Sequence, residues 1–233
     1  MTPNRLASGR MAPPAYDFWL LDLDGTLVDV ERGYKRELLD EVGDHLGVSF
    51  ADPEVTRVWH GSTASRQGVL SSKGLGEREF WTVFDELDDP DARVEATYLY
   101  EDAAVVPGLD APTGIVTHCP APITAQVLSH LDIRDWFDTV VCCDESLGWK
   151  PDPAPIREAM ADLSVSTNGN GGNGIGGNGN GAAGVYAGDG PHDVGAAWNA
   201  GLDGIHVDRH DAALRGEYIF ADRSVRAFTD LLA

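Results

Sequence analysis

Basic residues are in short supply in this chain. Against 38 aspartates and glutamates it has 17 lysines and arginines, a formal net charge of −21 over 233 residues. A surface this acidic repels phosphodiesters and anionic headgroups, so nucleic acid and membranes are poor candidate partners. No segment approaches the ~20 consecutive apolar residues of a membrane-spanning helix. Cysteine is scarce too. Cys119, Cys142 and Cys143 are odd in number and lack framework spacing, which argues against a disulfide scaffold and for buried thiols. The stretch from Met1 to Pro14 has two arginines and no apolar signal region, so a frayed tail is expected there, with Met11 an alternative start. The charge itself has two readings: an ordinary acidic cytoplasmic enzyme, or a protein adapted to concentrated salt, where a Debye length of roughly 3 Å at 1 M screens self-repulsion. The scarcity of lysine and the scatter of acids along the whole chain favour salt adaptation.

What is present is enough for a packed core, since 42% of residues are hydrophobic. Five short apolar runs end in turn chemistry: Phe18–Asp24, Thr113–His118, Thr139–Asp144, Gly184–Asp189 and Gly204–Asp208. Unbroken apolar runs suit strands covered on both faces. Helical patterns alternate with the later runs. Ile123, Val127, Leu128 and Leu131 share a face, as do Ile156, Met160 and Leu163, and Val194, Ala197 and Trp198 fall on another helix that ends near Gly201. Strand alternating with helix predicts an α/β fold with a parallel sheet of right-handed βαβ units. From Asp29 to about Val106 no strand is evident. Val30, Tyr34, Leu38 and Val42 recur every four residues, as do Phe80, Phe84 and Leu87, and Val94 and Tyr98, so an all-helical insert is expected. Residues 168–184 are almost entirely Gly and Asn and read as a flexible surface loop.

Four groups carry chemistry. Asp22-Leu23-Asp24-Gly25-Thr26 puts two carboxylates two residues apart at the end of an apolar strand, on one face of it. Two acids so close raise each other's pKa unless a cation is present. The bland alternative, an Asp-Gly hairpin turn, requires a paired strand right after Thr26, where a helical pattern is read instead. Gly188-Asp189-Gly190-Pro191-His192-Asp193 ends the fourth run, and oxygen ligands of this kind suit Mg²⁺. Lys150 precedes the rigid Pro151-Asp152-Pro153, and Thr117 ends the second run. All four groups fall at the carboxyl ends of predicted strands, the edge where open α/β sheets bind ligands.

In this order the four groups resemble the motifs of the haloacid dehalogenase superfamily, over nearly the whole chain from about Tyr16. The resemblance implies a Rossmann-like parallel sheet of spatial order 5-4-1-2-3, with core residues 15–28 and 107–233. It also implies a helical C1 cap at 29–106, as in the phosphoglycolate phosphatase-like branch. It makes Asp22 the nucleophile that becomes an aspartyl phosphate, and Asp24 the acid that protonates the leaving oxygen and then activates water. Mg²⁺ would be held by Asp22, the Asp24 carbonyl, Asp189 and, directly or through water, Asp193. Thr117 and Lys150 would hold phosphoryl oxygens. The substrate would be a small phosphorylated metabolite.

The segment from His60 to Arg66 is the candidate substrate loop of the cap, with Ser62 and Arg66 as contacts, although a plain loop fits as well. His118 stands where relatives often have Asn, and is either a substrate contact or a satisfied strand-end histidine. Between Gly108 and the second strand only Leu109 to Pro112 intervene, where relatives carry a helix; a helix within Asp91–Val106 is expected to cover that face. A phosphosugar mutase shares these motifs and this cap class. A dehalogenase lacks the second acid that Asp24 supplies. A phosphonatase needs a cap lysine, for which Lys35 and Lys73 are the candidates. A non-catalytic binding protein would be expected to show a broken motif, and none is broken.

Overall fold

The computed structural model describes residues 16–167, 181–210 and 218–232. The expected tail before Ala15, and residues 168–180 of the Gly/Asn segment, lie outside the described residues. Six parallel strands form one sheet in the order β5-β4-β1-β6-β7-β8. They are β1 (Phe18–Leu21), β4 (Thr113–Thr117), β5 (Thr139–Cys142), β6 (Gly184–Gly188), β7 (Asp203–Val207) and β8 (Arg223–Val225). Helices α6 (Ala121–His130), α7 (Ala154–Asp162) and α8 (Pro191–Ala200) alternate with the strands. Read from β7 to β5, this is the expected order 5-4-1-2-3, with β8 added beyond β7. β8 has three residues of which only Val225 is buried, so it has no apolar run to betray it.

β1 is central and wholly buried because it is covered on both faces. Its side chains alternate between them with the period of two that a pleated strand imposes. Trp19 and Leu21 join Ile115, Val127, Leu128 and Ile205 in one apolar cluster. Phe18 and Leu20 join Val116, Ile156, Met160 and Ala197 in the other. Register ties the centre together: Leu21 lies opposite Ile115 of β4 and Ala187 of β6.

A separate apolar cluster lies among α1 (Arg32–Leu46), α2 (Asp52–His60), α3 (Thr63–Ser72) and α4 (Glu77–Leu87). Phe80 is its centre and is fully buried, which contributes roughly 1.5–3 kcal/mol. α2 begins with Pro53 in its first turn, and the Glu54 carboxylate accepts from the Ala51 N–H at 2.7 Å. The short α5 (Pro90–Glu95) is capped by Asp89, which accepts from the Ala92 N–H at 2.8 Å.

The structure corrects two expectations. The insert is not all-helical, because β2 (Val28–Val30) pairs antiparallel with β3 (Thr97–Leu99) as a ribbon beside the sheet. A strand therefore does follow the Asp-Gly turn, but it pairs with β3 and not with β1, so the turn closes no hairpin. Tyr98 belongs to this ribbon and not to a helix, while the helix expected within Asp91–Val106 is α5, followed by β3 and a 3₁₀ turn at Glu101–Gly108. Trp198 lies on α8, which ends at Gly201 as expected. Val194, Ala197 and Ala200 are its buried side, while Trp198 is half exposed and its indole N–H donates to Asp222 at 2.7 Å.

Candidate active site

β1 runs one bond past its end, since the Asp22 N–H donates to the Ala187 carbonyl at 2.9 Å. The chain then wraps tightly: the N–H groups of Thr26, Leu27 and Val28 all point at the Leu23 carbonyl. The wrap needs Gly25 at φ +76°, where an added Cβ would also lie 2.6 Å from an Asp189 carboxylate oxygen. Asp22 is thus held in a buried position, its side chain 8% exposed, and Asp24 is more open, 31% exposed.

Lys150 is the hub below. Its Nζ donates to Asp22 Oδ1 at 2.7 Å, Asp193 Oδ1 at 2.7 Å and the Tyr186 hydroxyl at 2.9 Å, with the Val116 carbonyl at 3.3 Å. The Tyr186 hydroxyl in turn donates to the Val116 carbonyl at 2.6 Å. Burial opposes charge on Lys150, but Asp193 and Asp22 outweigh it and raise the ammonium's pKa above the usual lysine range. Asp193, in the first turn of α8, is folded back against the end of β6 and accepts from the Gly190 N–H at 2.9 Å. A Cβ at Gly188 would lie 2.3 Å from its Cγ, so only glycine leaves it that room. Burial pushes the Asp193 carboxyl up, and Lys150 with the Gly190 N–H brings it down below the usual range. Asp22 goes the other way. Burial, and the charges of Asp193 and Asp189, raise its carboxyl well above the usual range despite Lys150.

Asp22, Asp189 and Asp193 each offer an oxygen, all within 4.8 Å of one another. This all-oxygen set is the donor chemistry of Mg²⁺. Thr117 is buried at the end of β4, its hydroxyl accepting from the Cys119 N–H at 3.0 Å. His118 is tied to Lys150: the Lys150 backbone N–H donates to its Nε2 at 2.9 Å. Burial, with Lys150 nearby, lowers the imidazole pKa to about 3, so it is neutral. The Cys119 and Cys143 thiols are pushed up by burial and stay protonated.

From the helical insert, Ser62 is buried and caps α3, accepting from the Ser65 N–H at 3.2 Å. Arg66 donates to the Gly61 carbonyl at 3.0 Å, and its guanidinium lies 5.3 Å from the centre of the Trp81 ring. Burial lowers its pKa while the charges of Glu77 and Asp189 oppose that shift, and its own charge reaches His118.

At this junction Arg93 was missed, and Thr63 was read only as part of the His60 to Arg66 segment. Thr63 Oγ1 is 2.5 Å from His192 Nε2, joining the insert to the start of α8. Arg93 is buried, donates to Asp24 Oδ1 at 3.1 Å and to Asp88 at 2.9 Å, and lies 4.9 Å from the Trp59 ring centre. The available signal was a single base in the acidic run from Asp88 to Glu95. Nothing local distinguished Thr63 as a contact residue.

Known proteins resemble the chain over most of its length. The haloacid dehalogenase-like hydrolase family matches residues 19–207. A phosphoglycolate phosphatase of Yersinia pseudotuberculosis is 25% identical over 195 aligned positions, covering 77% of this chain and 75% of the relative. One of Cereibacter sphaeroides is 28% identical over 242 aligned positions, covering 92% and 98%. Among solved structures, a haloacid dehalogenase-like family hydrolase of Streptococcus pneumoniae superposes with a TM-score of 0.69 at 16% identity, covering 93% of this chain and 97% of its own. That likeness bears on the fold alone.

Proposed function

The chain belongs to the haloacid dehalogenase-like hydrolases, and from that footing we propose that it is a phosphatase hydrolysing a small phosphate monoester through a phosphoryl group carried on Asp22. The observation that carries this reading is the Lys150 ammonium shared between Asp22 and Asp193 at 2.7 Å each, at the carboxyl edge of the sheet. A carboxylate so placed is oriented for attack, and the cation beside it counters the charge of an arriving phosphoryl group. Asp24, the more open of the two, reaches the leaving oxygen, gives it a proton, and later takes one from water. Thr117 and Lys150 hold phosphoryl oxygens. His118, through the Lys150 backbone N–H, fixes where that lysine begins.

Three carboxylates converge here on one lysine, and the Asp22 carboxyl is raised first by burial and then by the charges of Asp193 and Asp189. Asp22, Asp189 and Asp193, with the Asp24 carbonyl, would hold Mg²⁺, which when bound supplies charge neutralisation to the transferring group. Residues 29–106 act as the cap, with Arg66 and Ser62 facing an anionic tail of the substrate. Phosphoglycolate is the first ester to assay, because the curated relatives bear its name. The charge of −21 we read as adaptation to concentrated salt in a cytoplasmic enzyme.

The test is a panel of phosphate monoesters with Mg²⁺, wild type beside Asp22→Asn. The expected result is multiple turnover by the wild type and none by the variant, with circular dichroism unchanged. Comparable turnover by both would remove Asp22 from the chemistry.

A further inference from the structure

A second cluster of metal-ligating side chains is separate from the Asp22, Asp189 and Asp193 cluster, and the phosphatase reading makes no use of it. Asp29 is buried in β2, His60 is the buried last residue of α2, and His210 follows β7. Each offers one ligand atom, and these atoms lie within 4.8 Å of one another. His60 Nε2 is 3.4 Å from Asp29 Oδ1. Two ligands at ~2.0–2.1 Å from a tetrahedral centre stand about 3.3–3.4 Å apart, so this edge already has the required length. The His210 ring stacks on His60 with centroids 3.7 Å apart and 26° between planes, close enough to supply the third donor by tilting.

The Lys35 ammonium sits among these atoms, 2.6 Å from Asp29 Oδ1 and 2.8 Å from His60 Nε2. An ammonium only donates, so His60 Nε2 is the acceptor and its lone pair faces the centre of the cluster. The chain thus keeps a cation of its own where three ligands converge. Asp29 is held as ligating carboxylates usually are: its Oδ2 accepts from the Tyr100 and Tyr98 hydroxyls at 3.2 and 3.4 Å. A cavity of about 450 Å³, lined by Lys35, Asp52, Thr56, His60 and His210 among others, opens beside the cluster. It provides an entry path, and room for the lysine side chain to turn toward Asp52.

We propose that Asp29, His60 and His210 form a binding site for a zinc-class divalent cation, which takes the place of the Lys35 ammonium. The donor set decides the class. Two imidazoles and one carboxylate suit zinc or cobalt, whereas the Asp22, Asp189 and Asp193 cluster is all oxygen and suits magnesium. The ligands come from the β2–β3 ribbon, the helical insert and the segment that follows β7 of the core sheet, so an ion bound here staples the insert to the core.

The experiment uses the whole protein, stripped with chelator and titrated with cobalt(II) alone, read by visible absorption. A four-coordinate nitrogen-containing site gives intense bands, and six-coordinate oxygen sites give weak ones. The expected result is one equivalent of intensely absorbing cobalt, displaced by zinc. Affinity falls more than about tenfold in His60→Ala and in His210→Gln, stays unchanged in Asp22→Asn, and rises in Lys35→Met, where the competing ammonium is gone. His210 is only partly buried, so its variant tests the site even if His60→Ala fails to fold. Absence of the intense bands, their persistence in His210→Gln, or their loss in Asp22→Asn would overturn the proposal.

Discussion

At Asp22 burial and two neighbouring acids favour the neutral carboxyl, and one lysine favours the ion. Asp22, Asp24, Thr117 and Asp189 could be picked out in the sequence because each ends a strand or opens the loop after it, whereas Lys150 lies late in the loop after β5 and Asp193 in the first turn of α8. What could not be read was how each is used. His118 offered two roles, and the structure gives it a hydrogen bond to the Lys150 backbone that a charged imidazole cannot accept. Its pKa of about 3 lies below the ordinary 6.5, so between these values the unfolded chain binds a proton that the folded one does not. Stability is therefore lost as pH falls from 6.5 toward 3, by up to about 2 kcal/mol at pH 5. His118→Asn removes that dependence while keeping an acceptor. The melting temperature of the variant should fall less between pH 7 and pH 5 than that of the wild type. Parallel declines would mean that His118 is not held neutral.

Strands of four or five unbroken apolar residues were readable, and strands of three were not. β2 and β3 are three residues each, and their β-branched and aromatic residues fitted a period of four as well as one of two. They pair across almost seventy residues of intervening chain, which no local pattern encodes. Arg93 was hidden for the same reason, since its partner Asp24 lies on another element. The wrap after β1 is where local backbone and site meet. In Gly25→Ala the left-handed conformation costs about 1–2 kcal/mol, and the new methyl meets Asp189 at 2.6 Å. The expected outcome is a melting temperature lowered by a few degrees and a larger loss in the Mg²⁺ concentration dependence of turnover. A variant with normal Mg²⁺ dependence would separate Asp189 from the metal.

For the molecule as a whole, charge is the dominant feature. With 17 bases against 38 acids, most acids have no basic partner, so repulsion exceeds attraction at low ionic strength. Screening relieves repulsion and weakens pairs such as Arg32 with Asp52, which are few and exposed and contribute little. The melting temperature should rise with KCl into the molar range at fixed pH and free Mg²⁺, the latter held constant because a bound ion stabilises by itself. A flat or falling series would refute salt adaptation and leave the site untouched.

Phosphoryl transfer to Asp22 is the centre of the account, and trapping it is the most direct measurement. Wild-type protein turning over a phosphate monoester with Mg²⁺ is quenched in acid, digested, and searched by mass spectrometry for a phosphoryl adduct. The account predicts an acid-stable, hydroxylamine-labile adduct on the peptide bearing Asp22, absent in Asp22→Asn. Steady hydrolysis with the adduct on another residue, or undiminished hydrolysis by the variant, would contradict it.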